Sequence, residues 1–550
     1  MKTLQRVSGW PTLTLLIAGS VTVPVAVVGW AILSPSWAVW EHLWQTRFIP
    51  MLLNTLKLMA GVGIGSLVLG TGLAWLVTLY RFPGRRALEW MLILPLAMPG
   101  YVLAFVVLSI LNYTGPIQTA LRSLFGADVW FPDVRSAAGV IAVLTLSFYP
   151  YVYLLARAAF LEQGARLIEA ARSLGHSKAS AFFRVILPMA RSSLAAGTAL
   201  VLMETIADIG AVNALGYETL TIGVYRVWIG LGEKKAALEL AAVLLLFAIS
   251  LLMLERGLRG RARYFQAGGR SLGIEPTRLK GWRGWGAAGL CLAVVALAFG
   301  IPFTQLVFWS VGELSAVGFD PRYIGFAANT LLLASVTAAI AVFLALLLAY
   351  GGRLHRRARW SIEVAATGYA IPGAVIGLGI LASISFVQDF VNRALIAFGW
   401  PGNVILFGSL AVLIYAYVVR FMAVAYRPVE ASLGKITPSM DMAARSLRAS
   451  PTRTLRQVHA PLMGVGVLTG SVLVFVDVMK ELPATLLLRP IGYDTLATRI
   501  WQLTSESLWE AAALPALTIV LAGAAPVAIL IRQSRRLRSG ESTTATASKT

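Results

Sequence analysis

Five ionisable residues stand where ionisable residues are expensive. Glu204 and Asp208 close one apolar stretch; Asp477, Lys480 and Glu481 close another. A charge at membrane depth is costly and marks a functional site by default. Two chemistries fit. Carboxylates brought together from two segments would hold a cation: aligned on Pro188 and Pro461, Glu204 matches Asp477 and Asp208 matches Glu481. Alternatively, Asp477, Lys480 and Glu481 pair with one another, because i,i+3 and i,i+4 side chains share a helix face. Pairing is how such charges usually survive in membranes, so it comes first. Nucleotide and covalent chemistry lack their residues. Gly434-Lys435 is followed by Ile436, and no phosphate-cradling glycine loop with its Lys-Ser/Thr ending occurs. No nucleophile, base and orienting group recur together, so no catalytic residue is expected. The one cysteine, Cys291, excludes a disulfide framework and a cysteine-based metal site. His42, His176, His355 and His459 are far apart and show no HxxH or HExxH spacing. No metal or cofactor is expected on this chain, and His176 and His459 read as surface residues of cytoplasmic loops.

The elements that must position these groups are membrane helices. Of 550 residues, 58% are hydrophobic and 13% charged, against about 25% charged in a soluble domain. Mean hydropathy is +0.75. So few charges cannot coat a soluble enzyme of this size, and a disordered or fibrous chain is excluded as well. The expected fold class is an all-α polytopic membrane protein. Spans of about 20 apolar residues are expected at 11–33, 56–80, 88–111, 137–158, 192–213, 236–255, 286–310, 328–350, 361–386, 403–426, 462–486 and 509–531. The first run exceeds a signal-peptide h-region and reads as an uncleaved helix. With the N-terminus inside, the segments 1–10, 81–87, 157–191, 256–285, 351–360, 420–460 and 532–550 carry 35 of the 47 Lys and Arg. The positive-inside rule then puts both termini in the cytoplasm. The formal charge of +22 is spread over seven loops, which disposes of nucleic acid as a partner.

The chain repeats itself at an offset of about half its length. Asn54-Thr55-Leu56 returns as Asn329-Thr330-Leu331, and Met98-Pro99-Gly100 as Ile371-Pro372-Gly373. Ala170-Ala171-Arg172-Ser173-Leu174 returns as Ala443-Ala444-Arg445-Ser446-Leu447, and Tyr217-Glu218-Thr219-Leu220 as Tyr493-Asp494-Thr495-Leu496. Six spans per half keep the copies in one orientation, so the repeats are parallel. The expected divisions are an N-terminal span and loop at 1–50, a first module at 51–256, a basic linker at 257–285, a seventh span and loop at 286–324, a second module at 325–532 and a tail at 533–550. Gly61 and Gly65, like Gly373 and Gly377, form GxxxG patterns that read as close helix packing. Pro99-Gly100 and Pro372-Gly373 either break their helices beside a cavity or are tolerated kinks. Two long cytoplasmic loops, at about 161–188 and 434–461, occupy equivalent places in the halves.

The first of those loops carries Glu169-Ala170-Ala171, then Gly175, then Val185-Ile186-Leu187-Pro188. It resembles the EAA motif of ABC-importer permeases, EAA-x3-G-x9-I-x-LP, with Val for Ile. In that family the loop forms a coupling helix seated in a groove of the ATP-hydrolysing subunit. The second loop keeps the register with Ala443, Ala444 and Pro461, but has Met442 for the Glu, Arg448 for the Gly and Val458-His459-Ala460-Pro461 at its end. Met203 to Gly210, and Asp477 to Pro490 followed by Tyr493 to Arg499, are similar to the fused, two-copy ferric-iron permeases. The resemblance implies a type I ABC-importer permease fold of about twelve helices in two parallel six-helix repeats, in the bacterial inner membrane. It further implies two cytoplasmic ATPase subunits that bind ATP and Mg, a periplasmic binding protein that delivers the solute, and ferric iron as that solute. Thiamine or another small cation is the alternative within the class. A twelve-helix secondary transporter is the alternative outside it, and would not need the repeated long loop.

Overall fold

In hydrocarbon every backbone polar group must find its partner within the protein, and an apolar run meets that demand alone only as a helix. The computed structural model describes residues 10–33, 35, 37–173, 178–259, 276–355, 359–366, 368–447, 449–525 and 528. Among them nine helices are long and apolar enough to cross a membrane: Trp10–Ala31, Trp40–Leu79, Gly100–Phe125, Ala137–Leu161, Lys234–Gly257, Trp282–Ala316, Arg322–Leu354, Gly373–Ala397 and Leu410–Gly434. Two bent pairs bring the number to 11: Phe182–Met189 with Arg191–Ala207, bent by 63°, and Thr452–Leu462 with Gly464–Met479, bent by 75°. The shorter apolar helix Trp509–Ala525 stands where the last span is expected. The chain is an all-α, multi-span membrane protein. Its one strand pair among the described residues is a two-residue parallel ladder, Tyr80–Arg81 beside Thr277–Arg278.

Helix Ile49–Leu79 packs closely on helix Ala137–Ser173, and glycine makes that possible. A Cβ on Gly61 would lie 2.5 Å from Ile141 Cδ1, one on Gly65 2.7 Å from Thr145 Oγ1, and one on Gly70 2.8 Å from the Tyr149 carbonyl. The third and ninth spans are broken rather than continuous. Helix Arg85–Met91 and the turn Leu94–Ala97 precede Gly100–Leu111; Arg359–Ala365 and Gly368–Ala370 precede Gly373–Ala397. Pro99 and Pro372 are extended, with ψ of 143° and 140°, and each helix restarts at the following Gly. The Pro-Gly pairs are true breaks, not kinks within a helix.

The compact units cut across the sequence repeats. One unit holds residues 1–42, 223–245 and 320–499; the other holds 43–222, 246–319 and 500–550. In the first, helix Trp10–Ala31 packs on the helices of the second repeat. Tyr415 donates to the Ser20 carbonyl, Gly379 leaves room for the Pro24 carbonyl, and the Trp10 and Tyr350 rings meet edge to face at 5.1 Å. In the second, Trp309 of helix Ile301–Ala316 and Trp509 both stack on the buried Phe105, at 6.5 Å and 6.2 Å. The leading span of each half is thus grouped with the body of the other half.

Candidate functional site: two helix breaks and a coupling loop

The repeated sequence fragments prove to be two sides of one joint, built twice. Asn54 Nδ2 donates to the Glu218 carbonyl at 3.0 Å, and Asn329 Nδ2 to the Asp494 carbonyl at 2.9 Å. Thr55 Oγ1 accepts the Leu220 N–H at 3.0 Å, and Thr330 Oγ1 the Leu496 N–H at 2.9 Å. Both hydroxyls are buried. Thr55→Val and Thr330→Val would each strand a buried N–H, at about 1–3 kcal/mol. Each is therefore expected to lower the thermal unfolding midpoint of the purified chain; an unchanged midpoint would show that neither joint holds the fold.

The acids at the ends of spans five and eleven hold helix breaks. Helix Arg191–Ala207 stops before Asp208, and a short helix, Gly210–Ala214, follows. Asp208 Oδ1 accepts the Ala211 N–H at 2.7 Å and the Val212 N–H at 3.3 Å. Helix Gly464–Met479 stops likewise, and Pro483–Leu488 follows. Glu481 accepts the Ala484 and Thr485 N–H groups, each at 3.0 Å, and the Thr485 hydroxyl at 2.6 Å. Carboxylates at these positions satisfy N–H groups that a helix start leaves open, and complement its dipole. Each also backs onto the Pro-Gly break. A Cβ on Gly100 would lie 3.0 Å from Asp208 Oδ2, and one on Gly373 would lie 2.7 Å from Glu481 Oε1 and collide with the Arg420 guanidinium. The second glycine pattern therefore divides its work: Gly377 packs against Leu487, whereas Gly373 makes room for a charged pair.

That pair corrects the expected pairing. Lys480 Nζ meets Asp477 Oδ1 at 3.0 Å, but Glu481 turns away and meets Arg420 Nη1 at 2.9 Å. Arg420 and Glu481 are 11% and 1% exposed, so this is a buried ion pair. Sequence reasoning missed Arg420 by counting it with an inner loop; it lies in the middle of helix Leu410–Gly434. An arginine so far inside an apolar run was the available signal. The position matching Arg420 in the first half is Ser147, which is buried, its hydroxyl without a hydrogen bond among the described residues. No cation pairs with Asp208 among them either. Glu204 sits one turn before Asp208, its carbonyl accepting the Asp208 N–H at 3.0 Å. Among the described residues no three His, Cys, Asp or Glu side chains converge as metal ligands.

Of the two loops expected to couple to a partner, Glu169, Ala170 and Ala171 fall within helix Ala137–Ser173, while Gly175, Arg448 and His176 lie outside the described residues. Leu187 and the exposed Pro188 form a short helix, Leu187–Met189, ahead of the bend. In the second loop, helix Pro438–Ser446 carries the exposed Ala443 and the buried Ala444; Pro461 is exposed. Arg353 ties this loop down. Its Nε donates to Asp441 Oδ2 at 2.9 Å, and its Nη1 and Nη2 donate to the Leu433 and Ile436 carbonyls, each at 2.8 Å. His459 is not a surface residue: it is 1% exposed, with Nε2 2.7 Å from Asp441 Oδ1.

These features define the class: a polytopic helical membrane protein whose two halves repeat the same joint and the same helix break. Residues 66–259 match the family described as binding-protein-dependent transport system inner membrane component. The chain is 27% identical, over 499 residues, to the Fe(3+)-transport system permease protein FbpB 2 of Haemophilus influenzae, covering 89% of this chain and 91% of that protein. It is 25% identical over 492 residues to the putative ferric transport system permease protein FbpB 1 of the same organism, covering 84% and 73%. A shorter relative, the sulfate transport system permease protein CysT of Escherichia coli, is 27% identical over 202 residues, 36% of this chain and 71% of that protein. The chain is thus similar, along most of its length, to permease components of transport systems rather than to enzymes. The matched family is described as an inner-membrane component whose transport depends on a binding protein.

Proposed function

We propose that this chain is the fused, two-module permease of an ABC importer and that it carries ferric iron inward. The observation that supports the cargo is the similarity along nearly the whole chain to permeases named for ferric transport. A periplasmic binding protein delivers the iron, and two cytoplasmic subunits, each binding ATP and Mg, drive the cycle. The modules 51–256 and 325–532 are the moving bodies, and both termini are cytoplasmic. When ATP closes the ATPase pair, the loops at 161–188 and 434–461 move with it. Glu169, Ala170, Ala171, Gly175, Leu187 and Pro188 are the contact residues of the first loop; Ala443, Ala444, Arg448 and Pro461 are those of the second. The path passes the broken ends of spans five and eleven, near Glu204, Asp208, Asp477, Lys480 and Glu481. The breaks suit such a path, because irregular backbone at membrane depth is tolerated where protein or a water-filled cavity surrounds it.

Deleting the gene is expected to abolish growth under ferric-iron limitation, with excess iron restoring it. Growth rescued by thiamine and indifferent to iron would transfer the cargo to that cation. The isolated chain is expected to bind no ATP; stoichiometric ATP binding without a partner would sink the importer mechanism.

A further inference from the structure

The unit containing the second repeat carries a half-open cavity of about 610 Å³ whose chemistry is unlike that of the acidic helix breaks. Lys234, Lys235 and Arg489 line it, with Trp228 and Ser385 beside them and aliphatic side chains such as Leu378 below. No Asp or Glu lines it among the described residues. Lys234 and Lys235 open helix Lys234–Arg259, so the positive end of that helix dipole adds to their charge. Lys234 Nζ stands 5.6 Å from the Trp228 ring centroid, which fixes its direction. Arg489 is 25% exposed and pairs with Asp494, which leaves the two lysines as the cations of the lining without an ion pair among the described residues. Phe407, also in the lining, precedes helix Leu410–Gly434, so the cavity lies at the far end of that helix from the second coupling loop.

We infer that this cavity is an oxyanion site, taking a sulfate- or phosphate-type group, either free or as a phospholipid headgroup. Like charges gathered on a concave face concentrate counter-ions, and an apolar floor strengthens each interaction by excluding water. The cavity is of the size that holds a small organic ligand. A headgroup with its chain on the aliphatic floor and a free oxyanion at the rim both meet that chemistry.

The test uses the full chain and needs neither ATP nor a partner, so its result does not depend on the proposed cargo. In phosphatidylcholine nanodiscs, radiolabelled sulfate is expected to bind one saturable site per chain. Lys234→Gln with Lys235→Gln should weaken that binding at least tenfold, and Lys234→Arg with Lys235→Arg should keep it. Both lysines are exposed, so the changes leave the fold alone. In a second arm, the chain is purified from phosphatidylglycerol vesicles and weighed by native mass spectrometry. Retention of one phosphatidylglycerol by the wild type, lost in the Gln variant, supports the site and assigns the headgroup as its ligand. Sulfate binding alone assigns a free anion. If the wild type and the Gln variant behave alike in both arms, the site does not exist.

Discussion

Replacing Arg420 by Met is expected to destroy most of the folded yield. The guanidinium pairs with Glu481 at 2.9 Å, and the carboxylate is 1% exposed. Removing one partner of a buried pair leaves the other charge uncompensated and costs about 3–5 kcal/mol. That is a large share of the roughly 5–15 kcal/mol that holds an ordinary domain together. Glu481→Gln alone should also lower yield, because it strands Arg420 and weakens acceptors used by Ala484 and Thr485. The double change Arg420→Met with Glu481→Gln removes both charges and is expected to recover part of the loss. Fluorescence-detected gel filtration of the four proteins reads this directly. Additive losses would show that the two residues do not act as a pair. The matched site in the first half gives the contrast. Ser147 stands in place of Arg420, so Ser147→Ala should change yield little.

How much of this was legible in the sequence follows from what a one-dimensional pattern can carry. Apolar runs located the spans because helix formation in lipid is a local requirement. The repeat marked the fragments without showing that they meet: Asn54 and Thr55 return as Asn329 and Thr330, and Tyr217 to Leu220 as Tyr493 to Leu496, and in the structure each copy binds its own partner fragment. The alignment of Asp208 with Glu481 was also legible, and the structure gives both residues one task. Three features were not. Arg420 was read as a loop base because charge counting assigns a cation near a span end to water, and only tertiary structure supplies Glu481 as its partner. His459 was read as exposed because an isolated polar residue in a cytoplasmic loop usually is; its neighbours Asp441, 18 positions earlier, and Tyr350 come to it only through the tertiary fold. The grouping of helix Trp10–Ala31 with the second repeat was invisible because a repeat reports similarity between halves, not which half a helix packs against.

Arg353→Ala is expected to uncouple the complex while leaving the permease folded. Arg353 ends helix Arg322–Leu354 and makes three charge-assisted hydrogen bonds. Two reach the carbonyls of Leu433 and Ile436, where helix Leu410–Gly434 ends and a cation suits the dipole. The third reaches Asp441 in the first turn of helix Pro438–Ser446, the body of the second proposed coupling loop. One side chain therefore joins a membrane helix to the element proposed to meet the ATPase. A hydrogen bond to a charged group contributes about 1.5–3 kcal/mol, so losing three should free the loop from its anchor. Solute-stimulated ATPase activity of the reconstituted complex should fall by at least tenfold, with ATPase assembly intact. Arg353→Lys should fall less far but remain impaired, since an ammonium cannot reproduce the planar fork that serves a carboxylate and two carbonyls at once. Asp441→Asn should be milder still, because both carbonyl bonds survive. The loop so anchored is the one whose sequence departs from the coupling motif, with Met442 where the first loop has Glu169. An anchor supplied from a neighbouring helix relieves the loop of holding its own shape, which explains how that sequence can drift while the element keeps its place. Full ATPase stimulation in Arg353→Ala would show that the second loop holds itself, and that its departures from the motif need another cause.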